Sequence, residues 1–206
     1  MVSGEGAAFS AGFDLADPTW TELGPPERSA PVGRAMAEAI GAMGAVTIAS
    51  IRGHCIGGGV VLASACDLRV SSANTTFRIP EVDLGIPLFW TGVPRLTREL
   101  GPALTKELVM TGRAFDAEEA RSIGFVNRVV ADDELADETD ALATALAEKP
   151  GFVLRTTKQQ VEEAVPPVPP TDGGADADVG AMADAFADPE GRAAAVRYLQ
   201  RRREGD

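Results

Sequence analysis

Short apolar runs alternate with amphipathic stretches along most of this chain. Val46–Ile51 is a β-branched run that predicts a buried strand, and similar patterns predict strands at 68–72, 75–79 and 125–130. Apolar residues at helical spacing predict helices at 32–43, 60–64, 94–111, 117–123, 134–148 and 152–165. Asp116 stands where it can cap the helix that follows it. The alternation of strands and helices predicts an α/β fold.

Two stretches lack this periodicity. The glycine-rich segment Gly4–Asp14 is predicted to be a loop with no strand or helix before it. Residues 166–178 are rich in Pro, Gly and Asp and predict a loop or linker, and the tail beyond it offers one or two helices. We therefore divide the chain into a core at 1–165, the loop at 166–178 and a C-terminal helical oligomerisation segment at 179–206.

Composition excludes several classes of function. The 206 residues include 31 acidic and 19 basic ones, for a net charge of -12, and so acidic a surface repels nucleic acid. His54 is the single histidine, which excludes a histidine-rich metal site, and we expect no metal. No apolar run approaches the roughly 20 residues that cross a bilayer, and the first residues lack the pattern of a signal peptide. We expect a soluble cytoplasmic protein that binds no membrane.

Three segments contain candidate chemistry. Gly57–Gly59 lies between a strand and a helix, where free backbone N–H groups favour an anion or oxyanion site. The alternative is close packing with no ligand. Glu81 follows a proline among apolar neighbours, which favours an acid or base, although an exposed loop glutamate is the alternative. Phe9–Leu15 is a loop of small residues that, taken alone, is also typical of a frayed N-terminus.

Together and in this order, Phe9–Leu15, Arg52–Gly59 and Pro80–Gly85 resemble the motifs of the enoyl-CoA hydratase/isomerase (crotonase) superfamily. The similarity continues through Cys66–Leu68 and Gly112–Asn127 and covers roughly residues 4–160. This resemblance implies a crotonase-like superhelix of ββα turns with a helical C-terminal region. It also implies homotrimers, often paired into hexamers.

The resemblance further implies an acyl-CoA thioester as substrate and no cofactor, since coenzyme A is part of that substrate. In the family, two backbone N–H groups bind the thioester oxygen and stabilise an enolate, and by position these are the amides of Phe13 and Gly58. Glu81 would be the catalytic acid and base. The implied substrate-binding residues are Ala11, Asp14, Leu15, Ala16, Gly57, Val61, Phe89 and Trp90. For Phe89 and Trp90, plain core packing is the alternative.

The sequence departs from the family pattern at two places. Family hydratases carry a second glutamate where this chain has Val61, and a single carboxyl group is enough to move a proton between carbons. We therefore expect isomerase-type chemistry, with a hydratase or an inactive acyl-CoA-binding subunit as alternatives. Family members also begin with strands and a helix before the first motif, so we expect the chain to be N-terminally truncated. His54 is predicted to lie in the turn between the strand and the glycine triplet, and a structural role is favoured over a catalytic one.

Overall fold

The computed structural model describes residues 1–12, 30–165 and 180–204. The strands are β1 (Val2–Ser3), β2 (Ile48–Ile51), β3 (His54–Ile56), β4 (Leu68–Ser72), β5 (Thr76–Arg78), β6 (Ala114–Asp116) and β7 (Arg128–Val130). The helices are α1 (Ala30–Gly41), α2 (Gly58–Ser64), α3 (Gly92–Leu100), α4 (Pro102–Thr111), α5 (Ala117–Ser122), α6 (Leu135–Ala147), α7 (Gly151–Ala164), α8 (180–187) and α9 (Pro189–Glu204). Single 3₁₀ turns occupy Pro80–Val82 and Asp132–Glu134.

The strands form two sheets that the chain visits in turn. The first sheet is entirely parallel with the order β1-β2-β4-β7, and the second has the order β3-β5-β6 with β6 antiparallel to β5. From β2 to β5, consecutive strands lie in different sheets, since β2 and β4 belong to the first sheet and β3 and β5 to the second. Helix α2 follows β2 and β3 in the chain and completes the first ββα turn. This is a superhelix of ββα turns, and the predicted α/β class is confirmed.

Aromatic side chains fill the core on the inner face of the second sheet. The rings of Phe77 and Phe115 stack with centroids 5.3 Å apart, and Phe125 meets Phe77 edge-on at 5.8 Å. A smaller cluster of Ile48, Val70 and Leu135 lies between the first sheet and α6. Burial of these side chains fixes which face of each short strand points inward.

Most predicted elements are present within a few residues of their expected bounds. The capping role of Asp116 is confirmed, because its Oδ1 accepts a hydrogen bond of 2.8 Å from the Glu119 amide. The tail contains two helices, α8 and α9. The predicted loop at 166–178 lies outside the described residues. No helix in the described ranges is long and apolar enough to span a membrane.

Three expectations are wrong. The single helix predicted over 94–111 is two helices, because Gly101 has a φ of +78° and Pro102 then starts α4. His54 was expected in a turn but begins β3, whose pairing with β5 holds it extended. A strand does precede Gly4, since β1 runs parallel to β2.

Candidate functional site

A glycine turn joins β3 to the first turn of α2. Gly57 has a φ of +54°, a conformation that favours glycine, and its amide donates to the carbonyl of Arg78 on β5 at 2.8 Å. The Gly57 carbonyl accepts from the amides of Val60 and Val61, which begins the helix. The Gly58 amide makes no hydrogen bond with any residue in the described ranges. It is therefore available to a ligand oxygen.

The carboxyl group of Glu81 packs directly against this turn. Glu81 lies on the 3₁₀ turn that follows β5, so the pairing of β3 with β5 brings it beside Gly57. A β-carbon on Gly57 would collide with Glu81 Oε1. Gly57 thus provides the backbone conformation of the turn and leaves the space that the carboxyl group occupies.

Glu81 is held in an environment that favours its protonated form. Its Oε2 atom is buried and has no hydrogen-bond partner in the described part of the chain. Burial raises the pKa of Glu81 from 4.5 to about 7, and a backbone hydrogen bond opposes this only partly. Near neutral pH the carboxyl group can therefore both release and accept a proton.

Trp90 forms a wall of the same region. Trp90 and Thr91 have left-handed backbones, with φ of 61° and 57°, and together they turn the chain into α3. The indole lies so close to Gly58 and to Gly33 of α1 that a β-carbon on either glycine would collide with it. The ring therefore joins the start of α2 to α1 beside the candidate amide donor.

The two other apolar candidates are core residues. Phe89 is 9% exposed, and Val61 is fully buried. A β-carbon on Gly92 would collide with both Val61 and Leu88, so Val61 lies in the interface of α2 with α3. The alternative given for Phe89, core packing, agrees with its burial.

The N-terminal segment runs alongside β3 toward the glycine turn. Ser10 donates its amide to His54 O at 3.0 Å and accepts from the Ile56 amide at 2.9 Å. A β-carbon on Gly59 would collide with Ser10, and Gly12 has a φ of +87° beside the Ile56 carbonyl. This pairing brings Ala11 to the edge of the glycine turn.

Four of the candidate site residues lie in a part of the chain that the structure does not describe. They are Phe13, Asp14, Leu15 and Ala16, and their roles stay predictions. His54 is exposed on β3 and points away from the core that holds Cys55.

Sequence reasoning missed Gly33. A lone glycine within a helical pattern is a signal of close packing, and here its partner is Trp90.

The chain is similar in sequence to known proteins. The family model described as "Enoyl-CoA hydratase/isomerase" matches residues 1–204. The chain is 44% identical over 117 residues to a short-chain-enoyl-CoA hydratase of Clostridioides difficile, covering 57% of this chain and 75% of that one. It is 34% identical over 166 residues to a crotonyl-CoA hydratase of Syntrophomonas wolfei, covering 80% of this chain. It spans only 64% of the length of the Syntrophomonas protein.

Solved structures share the fold. Enoyl-CoA hydratase subunit I of Geobacillus kaustophilus superposes with a TM-score of 0.71 at 34% identity, covering 97% of this chain and 76% of that one. A Thermobifida fusca protein in complex with CoA gives a TM-score of 0.71 at 28% identity, with 98% and 76% covered. The ββα superhelix described above is therefore the fold of these proteins.

Proposed function

This chain belongs to the enoyl-CoA hydratase/isomerase family, and we propose that it binds an acyl-CoA thioester and moves a proton on its acyl chain. The amides of Gly58 and Phe13 hold the thioester oxygen, and Glu81 is the acid and base. Hydrogen bonds from the two amides stabilise the negative charge that develops on that oxygen when a neighbouring carbon loses a proton.

One observation carries the proposal. The Glu81 carboxyl group packs on the turn that presents the free Gly58 amide, and its Oε2 is buried without a partner in the described residues. A buried carboxyl oxygen without a hydrogen bond costs stability, and such costs are typical of functional sites. A free backbone N–H beside a buried carboxyl group supports the proposal, because enolate chemistry needs a hydrogen-bond donor and a proton acceptor close together.

We favour isomerisation of a 3-enoyl thioester to the 2-enoyl form. Glu81 takes the proton from the carbon next to the thioester carbonyl, the enolate spreads into the C=C bond, and the same carboxylic acid returns the proton two carbons further along. One carboxyl group completes this cycle. Val61 supports this choice, because a buried valine cannot activate the water that hydration needs.

Hydration of a 2-enoyl thioester is the second candidate. Relatives in Clostridioides difficile and Syntrophomonas wolfei are named hydratases, at 44% and 34% identity. A single carboxyl group that deprotonates water and then returns the proton to carbon would suffice for slow hydration. The third candidate, an inactive acyl-CoA-binding subunit, is supported by Val61 but does not explain why Glu81 is kept in so costly an environment.

An assay against 2-enoyl- and 3-enoyl-CoA thioesters of several chain lengths separates the three candidates. We expect the 3-enoyl substrates to be converted to the conjugated 2-enoyl form. The increase in absorbance of the conjugated thioester measures this conversion. Faster loss of that absorbance from 2-enoyl substrates would establish hydration instead. Saturable acyl-CoA binding by calorimetry without turnover of either series would identify the inactive subunit.

Val61→Glu tests the reason for preferring isomerisation. The added carboxyl group should raise the rate of hydration relative to isomerisation if the pocket admits water. Val61→Gln is the matched control, because it adds the same length without an ionisable group. Strong hydration by the unmodified chain would contradict the role assigned to Val61.

We also propose that the chain assembles into a homotrimer or hexamer. Helices α8 and α9 leave apolar side chains partly exposed, among them Phe186 at 38%, Val196 at 54% and Leu199 at 39%. Light scattering should show a trimer or a hexamer. Deletion of the chain from Pro166 onward should dissociate that assembly. A folded monomer at micromolar concentration would refute this assembly.

A further inference from the structure

A second cleft lies at the opposite end of α2 from the glycine turn. Its volume is about 610 Å³, within the range of small-molecule sites. Helices α1, α3 and α7 and the turn after α2 form its walls. Since α2 has seven residues, its length of about 10 Å separates this cleft from the Gly58 amide.

Ion pairs neutralise nearly every charged group around the cleft. Four carboxylates line it, and each bonds a cation at 2.6 to 2.8 Å. These pairs are Glu38 with Arg34, Glu99 with Arg69, Glu162 with Arg98 and Asp67 with Lys158. The charges of these eight groups therefore cancel.

Arg95 is the cation left over. It extends from α3 toward α1, where its Nη1 lies 3.6 Å from the place that a β-carbon on Gly41 would occupy. Its Nε is buried without a hydrogen-bond partner, and the guanidinium forms no hydrogen bond or ion pair within 4 Å in the described ranges, although Glu38 and Glu162 attract it from farther away. A buried N–H of a charged group without an acceptor is costly, so the site is short of one anion.

The surroundings of Arg95 define what that anion can be. Both Nη atoms of the neighbouring Arg34 are also buried without a partner in the described part of the chain. Glu38 and Glu162 attract the Arg95 guanidinium, while Arg98 and Arg34 repel it. The carbonyls of Ala63 and Cys66 at the end of α2 already accept hydrogen bonds from Arg69. The rest of the lining is mostly apolar, with Val46, Leu68, Leu154 and Val161, and it includes the hydroxyl residues Ser64 and Thr157.

We propose that this cleft binds a small amphipathic anion, a carboxylate with a short alkyl chain, whose charged group pairs with Arg95. The alkyl chain lies against the apolar residues of α7 and of the turn after α2. The carboxylate supplies the missing acceptor and neutralises the surplus charge. This site is separate from Glu81, and the inference does not rest on the proposed catalysis.

Calorimetric titration of the full chain with sodium hexanoate tests the proposal, with hexanamide as the uncharged ligand of the same length. We expect saturable binding of hexanoate, at least tenfold weaker binding in Arg95→Gln, and no detectable binding of hexanamide. Arg121→Gln is the matched control, because Arg121 is 59% exposed and its one ion pair among the described residues is a 3.8 Å contact with Glu118. That variant should bind hexanoate as the unmodified chain does.

Two further measurements keep the test decisive. Val161→Asp is the alternative variant in case Arg95→Gln fails to fold, because it changes an exposed wall of the cleft and leaves the core intact. The carboxylate that it adds should weaken hexanoate binding. Glu81→Gln should leave hexanoate binding unchanged. Equal binding by Arg95→Gln would overturn the proposal. Sedimentation could also overturn it, by showing that the unmodified chain forms an oligomer and that Arg95→Gln dissociates this oligomer. A carboxylate of a second copy of the chain would then be the group that pairs with Arg95.

Discussion

Asp67 and Glu81 are carboxyl groups near opposite ends of α2, and the chain treats them in opposite ways. Asp67 Oδ2 accepts from the Thr47 amide at 2.7 Å, from the Thr47 hydroxyl at 2.8 Å and from Lys158 Nζ at 2.8 Å. Glu81 has a buried Oε2 with no partner in the described residues. The first group links α7 and the residue before β2 to the turn after α2. The second contributes no such link.

The difference indicates which carboxyl group is structural and which is functional. A buried carboxylate with several charge-assisted hydrogen bonds stabilises the fold, whereas one without partners lowers its stability. A costly group is retained when a function requires it. The comparison therefore predicts that replacing Glu81 affects activity and that replacing Asp67 affects stability.

Glu81→Gln should produce the largest effect. Turnover of the active thioester should fall by at least about 10²-fold, the usual contribution of a general acid or base. Acyl-CoA binding should change little, because the amide keeps the shape of the side chain. Enoyl-CoA kinetics and calorimetry measure the two quantities. Near-normal turnover would show that Glu81 is not the acid and base, and would contradict the functional role that the comparison with Asp67 assigns to it.

The pH dependence of stability should identify the same group independently. The pKa of Glu81 is about 7 in the folded chain and near 4.5 when unfolded, so the folded state holds its proton more tightly. Stability should therefore be highest below pH 4.5 as far as this group is concerned, and it should decrease as the pH rises toward 7. The loss amounts to about 3 kcal/mol.

Urea unfolding at several pH values measures this loss. In Glu81→Gln the free energy of unfolding should decrease less between pH 5 and pH 8 than it does in the unmodified chain. The variant should therefore be more stable than the unmodified chain at pH 8. An unchanged pH profile in the variant would show that Glu81 does not titrate in this range.

Asp67→Ala should affect stability alone. Loss of the carboxylate leaves Lys158 and the Thr47 amide without their acceptor, and the unfolding free energy should drop by about 2 kcal/mol. Urea unfolding measures the drop, and turnover per folded molecule should stay within about twofold. A large loss of turnover with intact stability would reverse the roles of the two carboxyl groups.

Local sequence patterns predicted the longer elements well. Runs such as Val46–Ile51 carry enough β-branched residues to be recognised alone, and Asp116 carries a clear capping signal. The strands β3 and β6 have only three residues each and, unlike the equally short β5 and β7, do not lie within a longer apolar or β-branched run. They are strands because both pair with β5, a relation between residues far apart in the chain.

The candidate site was predictable in part for a similar reason. The glycine turn and Glu81 are contiguous motifs, so the sequence could point to them. The contact of Trp90 with Gly33 and Gly58 depends on three distant segments and on a left-handed backbone at Trp90. The shortage of an anion at Arg95 emerges only when the ion pairs around it are known. Such properties arise from the tertiary structure and leave no local pattern.

Asp116→Ala should give the smallest effect and extends the comparison to an exposed carboxylate. Asp116 Oδ1 accepts one hydrogen bond, from the Glu119 amide in the first turn of α5. Losing an N-cap costs about 1 kcal/mol, less than the loss at Asp67 because water can solvate the freed amide. Asp116→Asn is the matched control, since asparagine caps about as well and should cost only a few tenths of a kcal/mol. Thermal and urea unfolding measure both variants, and equal losses in the two would mean that the charge of Asp116, rather than its cap, stabilises α5.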